Sequence, residues 1–379
     1  MTGDPLKVCI RDRVATLLFR FHVIHAGTRD DDAMKMRRSP LSFANDPRYD
    51  PSMAPNSPLG VRLLGLVSRS SKPLSEMTDD ELIAARDRLN RLRASMAARV
   101  ITGFPHRHVT IEQLALPLHD RTLSMRVYRP FRHQGPLPLV VHFHGGGFVF
   151  GTAAQTDWLN SGVAARTPAL VVSVDYRLAP EHPFPASTQD AFDAVDWFRN
   201  GPSDLNADPE PLALMGDSAG GNLAAVAAVH ARDNGIDVAL QVLIYPTVDF
   251  TDAMFSYPSA VENADDPILT RTSLTAFRRI WLGDHDPADP LISPLLTSDL
   301  RGVAPALVQT ARFDPLRDQG DAYARRLRGA GALEAVTEYP HAAHAFIATP
   351  GLDRGARQAR REIIAHLQQA FARQLAESR

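Results

Sequence analysis

Cysteine is nearly absent: the 379 residues contain a single one, Cys9. One thiol excludes an internal disulfide and a cysteine-based metal site, and it fits a reducing compartment. Long apolar runs are missing too. None approaches the ~18–20 residues that span a bilayer, so no integral membrane segment is expected. The nearest thing to a secretory signal, residues 14–26, is interrupted by Arg20, His22 and His25, with no convincing small-residue cleavage site after it. Excess charge of one sign is also lacking. With 41 Lys+Arg against 43 Asp+Glu the net charge is −2, which gives no reason to expect nucleic acid or an anionic membrane surface as a partner. No internal repeat and no low-complexity tract interrupts the chain. The expectation is a soluble, cytoplasmic protein of ordinary globular composition, 44% hydrophobic and 22% charged. Its length suits one large α/β domain with a smaller appendage.

Residues 1–55 differ from the rest, with charged clusters such as Arg29-Asp30-Asp31-Asp32, scattered prolines and no periodicity. They read as an N-terminal extension: a disordered tail, a docking arm, or a stretch ahead of a true start at Met34, Met36 or Met53. Thr78-Asp79-Asp80-Glu81 then forms a capping box, and Leu82, Ala85, Leu89, Leu92 and Met96 follow as a narrow helical stripe that should pack on the main domain. Segments 109–116 and 122–128 alternate apolar and polar residues, as paired antiparallel strands with one wet face do. Later apolar runs at 137–143, 170–174, 212–215, 238–244 and 306–309 suit parallel strands buried on both faces. Helical patterns at 189–199, 219–232 and 316–328 lie between them. The alternation predicts an α/β fold, a mostly parallel central sheet flanked by helices. The stretch 248–285 breaks the rhythm and reads as an insertion over the sheet's active edge.

The chemistry-bearing residues sit at strand ends. Gly216-Asp217-Ser218-Ala219-Gly220 joins a buried strand to a helix, the context in which G-x-S-x-G exposes a nucleophilic serine on a strained turn. A phosphate loop is the competing reading, but no G-K-[ST] is present. Upstream, a strand runs into His144-Gly145-Gly146-Gly147-Phe148, where successive glycines let backbone amides face a developing oxyanion. Loss of one such donor typically costs about 3–4 kcal/mol. A serine nucleophile needs an acid and then a histidine later in the chain. Asp314, just past a strand end, and Asp318 are the candidates for the acid. His341 and His344 both follow the last predicted strand, 336–339, on the loop opened by Pro340. His142 and His144 are a histidine pair without further ligands, read as hydrogen bonds supporting the loop rather than a metal site.

With these blocks in view, the sequence resembles the hormone-sensitive-lipase-like esterases of the α/β-hydrolase fold. Four ordered blocks carry the resemblance: 142–148, 175–186 (Asp-Tyr-Arg-Leu-Ala-Pro-Glu-His-Pro-Phe-Pro-Ala), 216–223 and 314–318. It covers residues 60–370, roughly. The resemblance implies Ser218 as nucleophile, Asp314 as acid and His344 as base, since His344-Ala345-Phe346 stands where the family has His-Gly-Phe. The alanine is a departure, because a left-handed backbone there would carry strain. Amides of Gly146, Gly147 and Ala219 would form the oxyanion hole. Arg177 and Glu181 would be a buried ion pair beneath the site.

The implied activity is hydrolysis of short- to medium-chain carboxylic esters through an acyl-enzyme, with no cofactor and no metal. Cap elements at 56–105 and 248–285 would cover Ser218, with Phe255, Tyr257, Phe277 and Trp281 as candidate pocket walls. Two other readings stay open: an amide hydrolase or deacetylase on the same triad, and a non-catalytic small-molecule receptor of the same fold. The partner is a small-molecule ester, and a homodimer is left open.

Overall fold

A computed structural model describes residues 72–377 apart from 132, 134, 200–204 and 206. The expected N-terminal extension and the start of the first cap element, 56–71, lie outside the described residues. By its internal contacts the chain divides after Asn56, and every described residue belongs to the second unit, Ser57–Arg379.

Eight strands form one sheet: β1 (Val109–Pro117), β2 (Thr122–Pro130), β3 (Leu137–Phe143), β4 (Leu170–Asp175), β5 (Ala207–Asp217), β6 (Leu240–Ile244), β7 (Ala306–Phe313) and β8 (Leu333–Ala343). Their order is β1-β2-β4-β3-β5-β6-β7-β8. The β1–β2 and β2–β4 pairs are antiparallel, and every pair from β4–β3 onward is parallel. The alternating strands thus sit at the sheet edge and the continuous apolar runs in its middle, as two-sided burial requires.

Each face of the sheet has its own core. Leu139, Val141, Phe143, Leu212 and Leu214 point to one side, against α4 (Ala186–Arg199), α5 (Ala219–Asp233) and α8 (Arg317–Gly329). Val140, Ala213, Met215, Val242 and Leu307 point to the other, against α3 (Asp157–Arg166) and α9 (Gly355–Glu377). Period-two alternation assigns neighbours on one strand to opposite cores. The sequence reading has no counterpart for α3 or α9. In α9 the buried side is largely alanine and isoleucine among arginines and glutamines, so its apolar stripe is faint.

Two helices precede the sheet, α1 (Asp79–Ala94) and the single-turn α2 (Arg99–Thr102). The capping box forms as expected: Glu81 N–H donates to Thr78 Oγ1 at 3.3 Å, and Thr78 N–H to Glu81 Oε2 at 2.8 Å. The expected stripe packs only in part. Leu82 is buried, whereas Leu92 is exposed and Met96, beyond the helix end, more so.

The 248–285 stretch lies between β6 and β7 and carries α6 (Pro258–Glu262) and α7 (Arg271–Leu282). Trp281 is fully buried, stacked on Phe148 with ring centroids 3.6 Å apart, and its Nε1 donates to Ser187 Oγ. That makes Trp281 core rather than pocket wall. The two expected cap elements touch where Arg279 donates to Ser75 O at 3.3 Å. No helix among the described residues is long and apolar enough to cross a membrane.

Candidate active site

The turn after β5 is forced by crowding. A Cβ at Gly216 would collide with the carbonyl of Gly220, and one at Gly220 with the carbonyl of Phe143. Between them Ser218 adopts φ 55° and ψ −117°, a strained conformation for a non-glycine residue. Its N–H donates to Ile244 O at 2.9 Å, and its half-buried side chain stands at the N-terminus of α5.

Ser218, His344 and Asp314 converge from three strand ends. Ser218 Oγ lies 3.0 Å from His344 Nε2, and His344 Nδ1 lies 2.8 Å from Asp314 Oδ2. Asp314 is fully buried and its other oxygen accepts the N–H of Leu316 at 2.8 Å, which fixes the carboxylate's plane. Burial alone would lower the His344 pKa. The charge and hydrogen bond of Asp314 outweigh it, with Asp266 and Asp217 adding to them, so the imidazole is held above its ordinary value. Asp266 faces Asp314 and His344 from the 248–285 stretch; burial pushes its carboxyl up to about 6 while the N–H groups of Ile268 and Leu269 hold it down.

The competing residues fall elsewhere. Asp318 pairs with Arg317 and accepts the N–H of Ser259, away from the imidazole. His341 is exposed, three residues before His344 on β8. The last strand is longer than the sequence predicts and runs through Pro340, because the β7–β8 register shifts between Ala311 and Phe313 and resumes with Phe313 opposite Ala343. The shift absorbs the residue that has no N–H for the ladder. His344 therefore follows the strand directly. Ala345 adopts the left-handed conformation, φ 61° and ψ 20°, that its place after the histidine led one to expect.

The glycine loop after β3 curls back on itself, with Val149 and Phe150 donating to Gly146 O. Gly146 has φ 131° and Gly147 φ 64°. Among the described residues no backbone acceptor takes the N–H of Gly146 or Gly147. Ala219 opens α5, where the N–H has no intrahelical partner. The Phe277 ring lies against Gly147 so closely that a Cβ there would meet it at 2.6 Å.

Several supports escaped the sequence reading. Asp217 Oδ1 accepts the Gly145 N–H at 3.1 Å, tying the loop to the elbow, and His142 Nε2 lies 3.5 Å from the same oxygen. Gln155 Nε2 donates to Gly145 O, Tyr176 OH to His144 O, and Asn222 Nδ2 to Thr247 O and Ile292 O. Asp217 stood in the motif itself, as its variable position. His144 Nδ1 meets Gly145 O of the loop at 2.9 Å, whereas His142 Nδ1 meets Ser173 Oγ on the neighbouring strand β4 at 2.8 Å.

One expected pair is corrected. Arg177 does not pair with Glu181 but grips Asp190 of α4 with Nε and Nη2. Glu181 instead accepts from Nη1 and Nη2 of Arg86 on α1. Asp190 is fully buried and also faces Arg121, so the deeper carboxylate takes the arginines while the exposed Glu181 reaches outward.

Comparison with known proteins matches residues 140–348 to a family of α/β hydrolase fold. The chain is 37% identical over 303 residues to a carboxylic ester hydrolase of Mycobacterium tuberculosis, covering 78% of each. It is 33% identical to an arylesterase of Saccharolobus solfataricus over 71% of this chain and 85% of the relative. Among solved structures, a hyperthermophilic esterase of the archaeon Pyrobaculum calidifontis aligns with a TM-score of 0.74 and 36% identity, over 83% of this chain and 98% of that one.

Proposed function

The chain belongs to the hormone-sensitive-lipase-like esterase branch of the α/β-hydrolase fold family, and from that premise we propose that it hydrolyses short- to medium-chain carboxylic esters through an acyl-enzyme on Ser218. The observation that carries the reading is the unbroken hydrogen-bond chain from Ser218 Oγ through His344 to Asp314.

His344 Nε2 takes the hydroxyl proton as Oγ attacks the ester carbonyl. Asp314 keeps Nδ1 protonated and balances the imidazolium that forms. The negative oxygen of the tetrahedral intermediate is received by the amides of Gly146, Gly147 and Ala219, at the positive end of α5. The imidazolium then protonates the leaving alcohol, and a water deprotonated by the same histidine releases the acid. α1 with α2 and the α6–α7 stretch form the cap, and Asp217 and Gln155 hold the oxyanion loop in place.

A fluorophosphonate probe tests this. Wild-type protein should gain one adduct, located by mass on the peptide containing Ser218. A receptor of the same fold would stay unlabelled, and modification elsewhere would displace Ser218 from its role.

Phe277 supports a limit on acyl length, since its ring closes over Gly147 and meets Phe150 edge-on at 6.0 Å. Phe277→Ala is expected to raise kcat/KM for p-nitrophenyl octanoate relative to the butyrate by roughly tenfold, the low end of what an apolar pocket resolves per methylene. An unchanged ratio removes Phe277 from the acyl path.

A further inference from the structure

Leu92 near the end of α1, Met96 between the helices, Val100 in α2 and Phe104 just past it are 56%, 71%, 53% and 56% exposed. The inner side of this segment is engaged, because Arg93 donates to Gln155, which in turn donates to Gly145 O. The backbone is extended at Ser95, so these four side chains do not share one helix face, but each lies in water.

The α2 end of this segment borders a concentration of positive charge. Gly351 N–H donates to Ile101 O at 2.9 Å, and Gly103 is packed against Trp158 and Pro350. Arg360 lies over the Trp158 ring at 3.6 Å and donates to Trp158 O. Arg166, Arg357 and Arg361 surround it, and together with burial they hold its pKa down to about 10. Arg107 and Arg354 extend the group, and five of the six, all but Arg360, are exposed. Among the described residues none of those five forms an ion pair.

We propose that the exposed apolar side chains of the α1–α2 segment, together with the arginines at the N-terminal end of α9, dock the protein on an anionic lipid surface. Four apolar side chains are too few for the ~800 Å² per partner of a stable protein interface. They do suit entry between headgroups while arginines meet the phosphates. A symmetric contact with a second copy would set arginine against arginine. The near-zero net charge of the chain conceals this asymmetry, since the arginines are local and the balancing carboxylates lie elsewhere. The inference is independent of the triad's role.

The test is sedimentation of the full chain with vesicles of equal parts phosphatidylcholine and phosphatidylglycerol, against vesicles of phosphatidylcholine alone. Wild-type protein should pellet with the mixed vesicles, less so in high salt, and stay in solution with the neutral ones. Arg354→Glu/Arg357→Glu/Arg361→Glu and Met96→Glu/Phe104→Glu should each lose at least about tenfold in vesicle binding, as expected when several basic contacts or the inserted side chains are removed. Both variants should keep the wild-type circular dichroism spectrum and melting temperature, which shows them folded. Wild-type protein that ignores the mixed vesicles, or either variant binding undiminished, overturns the proposal. So does a wild-type dimer that Met96→Glu dissociates in the absence of any vesicle binding, which would give the face to a second copy.

Discussion

Replacing Ser218 with alanine is expected to lower kcat on p-nitrophenyl butyrate by about 10⁶-fold, the scale of loss when an acyl-transfer nucleophile is removed. That corresponds to about 8 kcal/mol of barrier. The size of the effect follows from what remains. The oxyanion amides and His344 are untouched, but water must then attack without a covalent intermediate, and nothing orients it. Alanine tolerates the φ of 55° no better than serine does, so stability should barely change and the circular dichroism spectrum should match wild type. Retention of most of the activity by a folded Ser218→Ala protein would assign the nucleophile to another residue.

Asp314→Asn should cost about 10⁴-fold in kcat, because an amide can favour the wrong tautomer of the imidazole and cannot balance its charge. A second readout separates this from structural damage. His344 must be neutral to accept the serine proton, so kcat/KM rises with pH through its pKa. Asp314 holds that pKa above the ordinary imidazole value of about 6.5. With the charge removed, burial prevails and favours the neutral ring, so the rising limb should move to lower pH. A profile lowered in height but unmoved in pH would deny the electrostatic coupling.

The parts of this site that were readable in the sequence are those whose chemistry dictates residue type. An elbow that collides with any Cβ must keep its glycines, and a triad must present serine, acid and histidine in chain order at strand ends. Fold class was readable for a related reason: strands buried on both faces leave no room for polar alternation. What stayed hidden depends on partners distant in the chain. Arg177 has Glu181 four residues away and Asp190 thirteen away, and only the packing of α4 against the sheet makes the second the buried one. The α1 stripe gave no sign that half of it would remain uncovered. Trp281 could be pocket or core until its stacking on Phe148 was seen. The C-terminal helix was missed because alanine, which covers much of its buried side, also sits readily on a wet one.

The two segments proposed to cover Ser218 differ in how firmly each is held. α7 is clamped to the oxyanion loop through Trp281, sandwiched in a dry aromatic stack and bonded to Ser187. α1 rests on Leu82 and otherwise on polar contacts that water can replace, chiefly Arg86 with Glu181 and Arg93 with Gln155. Widening the gap at α7 would also disturb the glycine-loop amides proposed to receive the oxyanion; widening it at α1 would leave them nearly as they are. If both segments cover the serine as proposed, access to it is one-sided, a fixed jamb facing a leaf on a latch, and dissolved salt, which screens the Arg86–Glu181 pair, loosens the leaf.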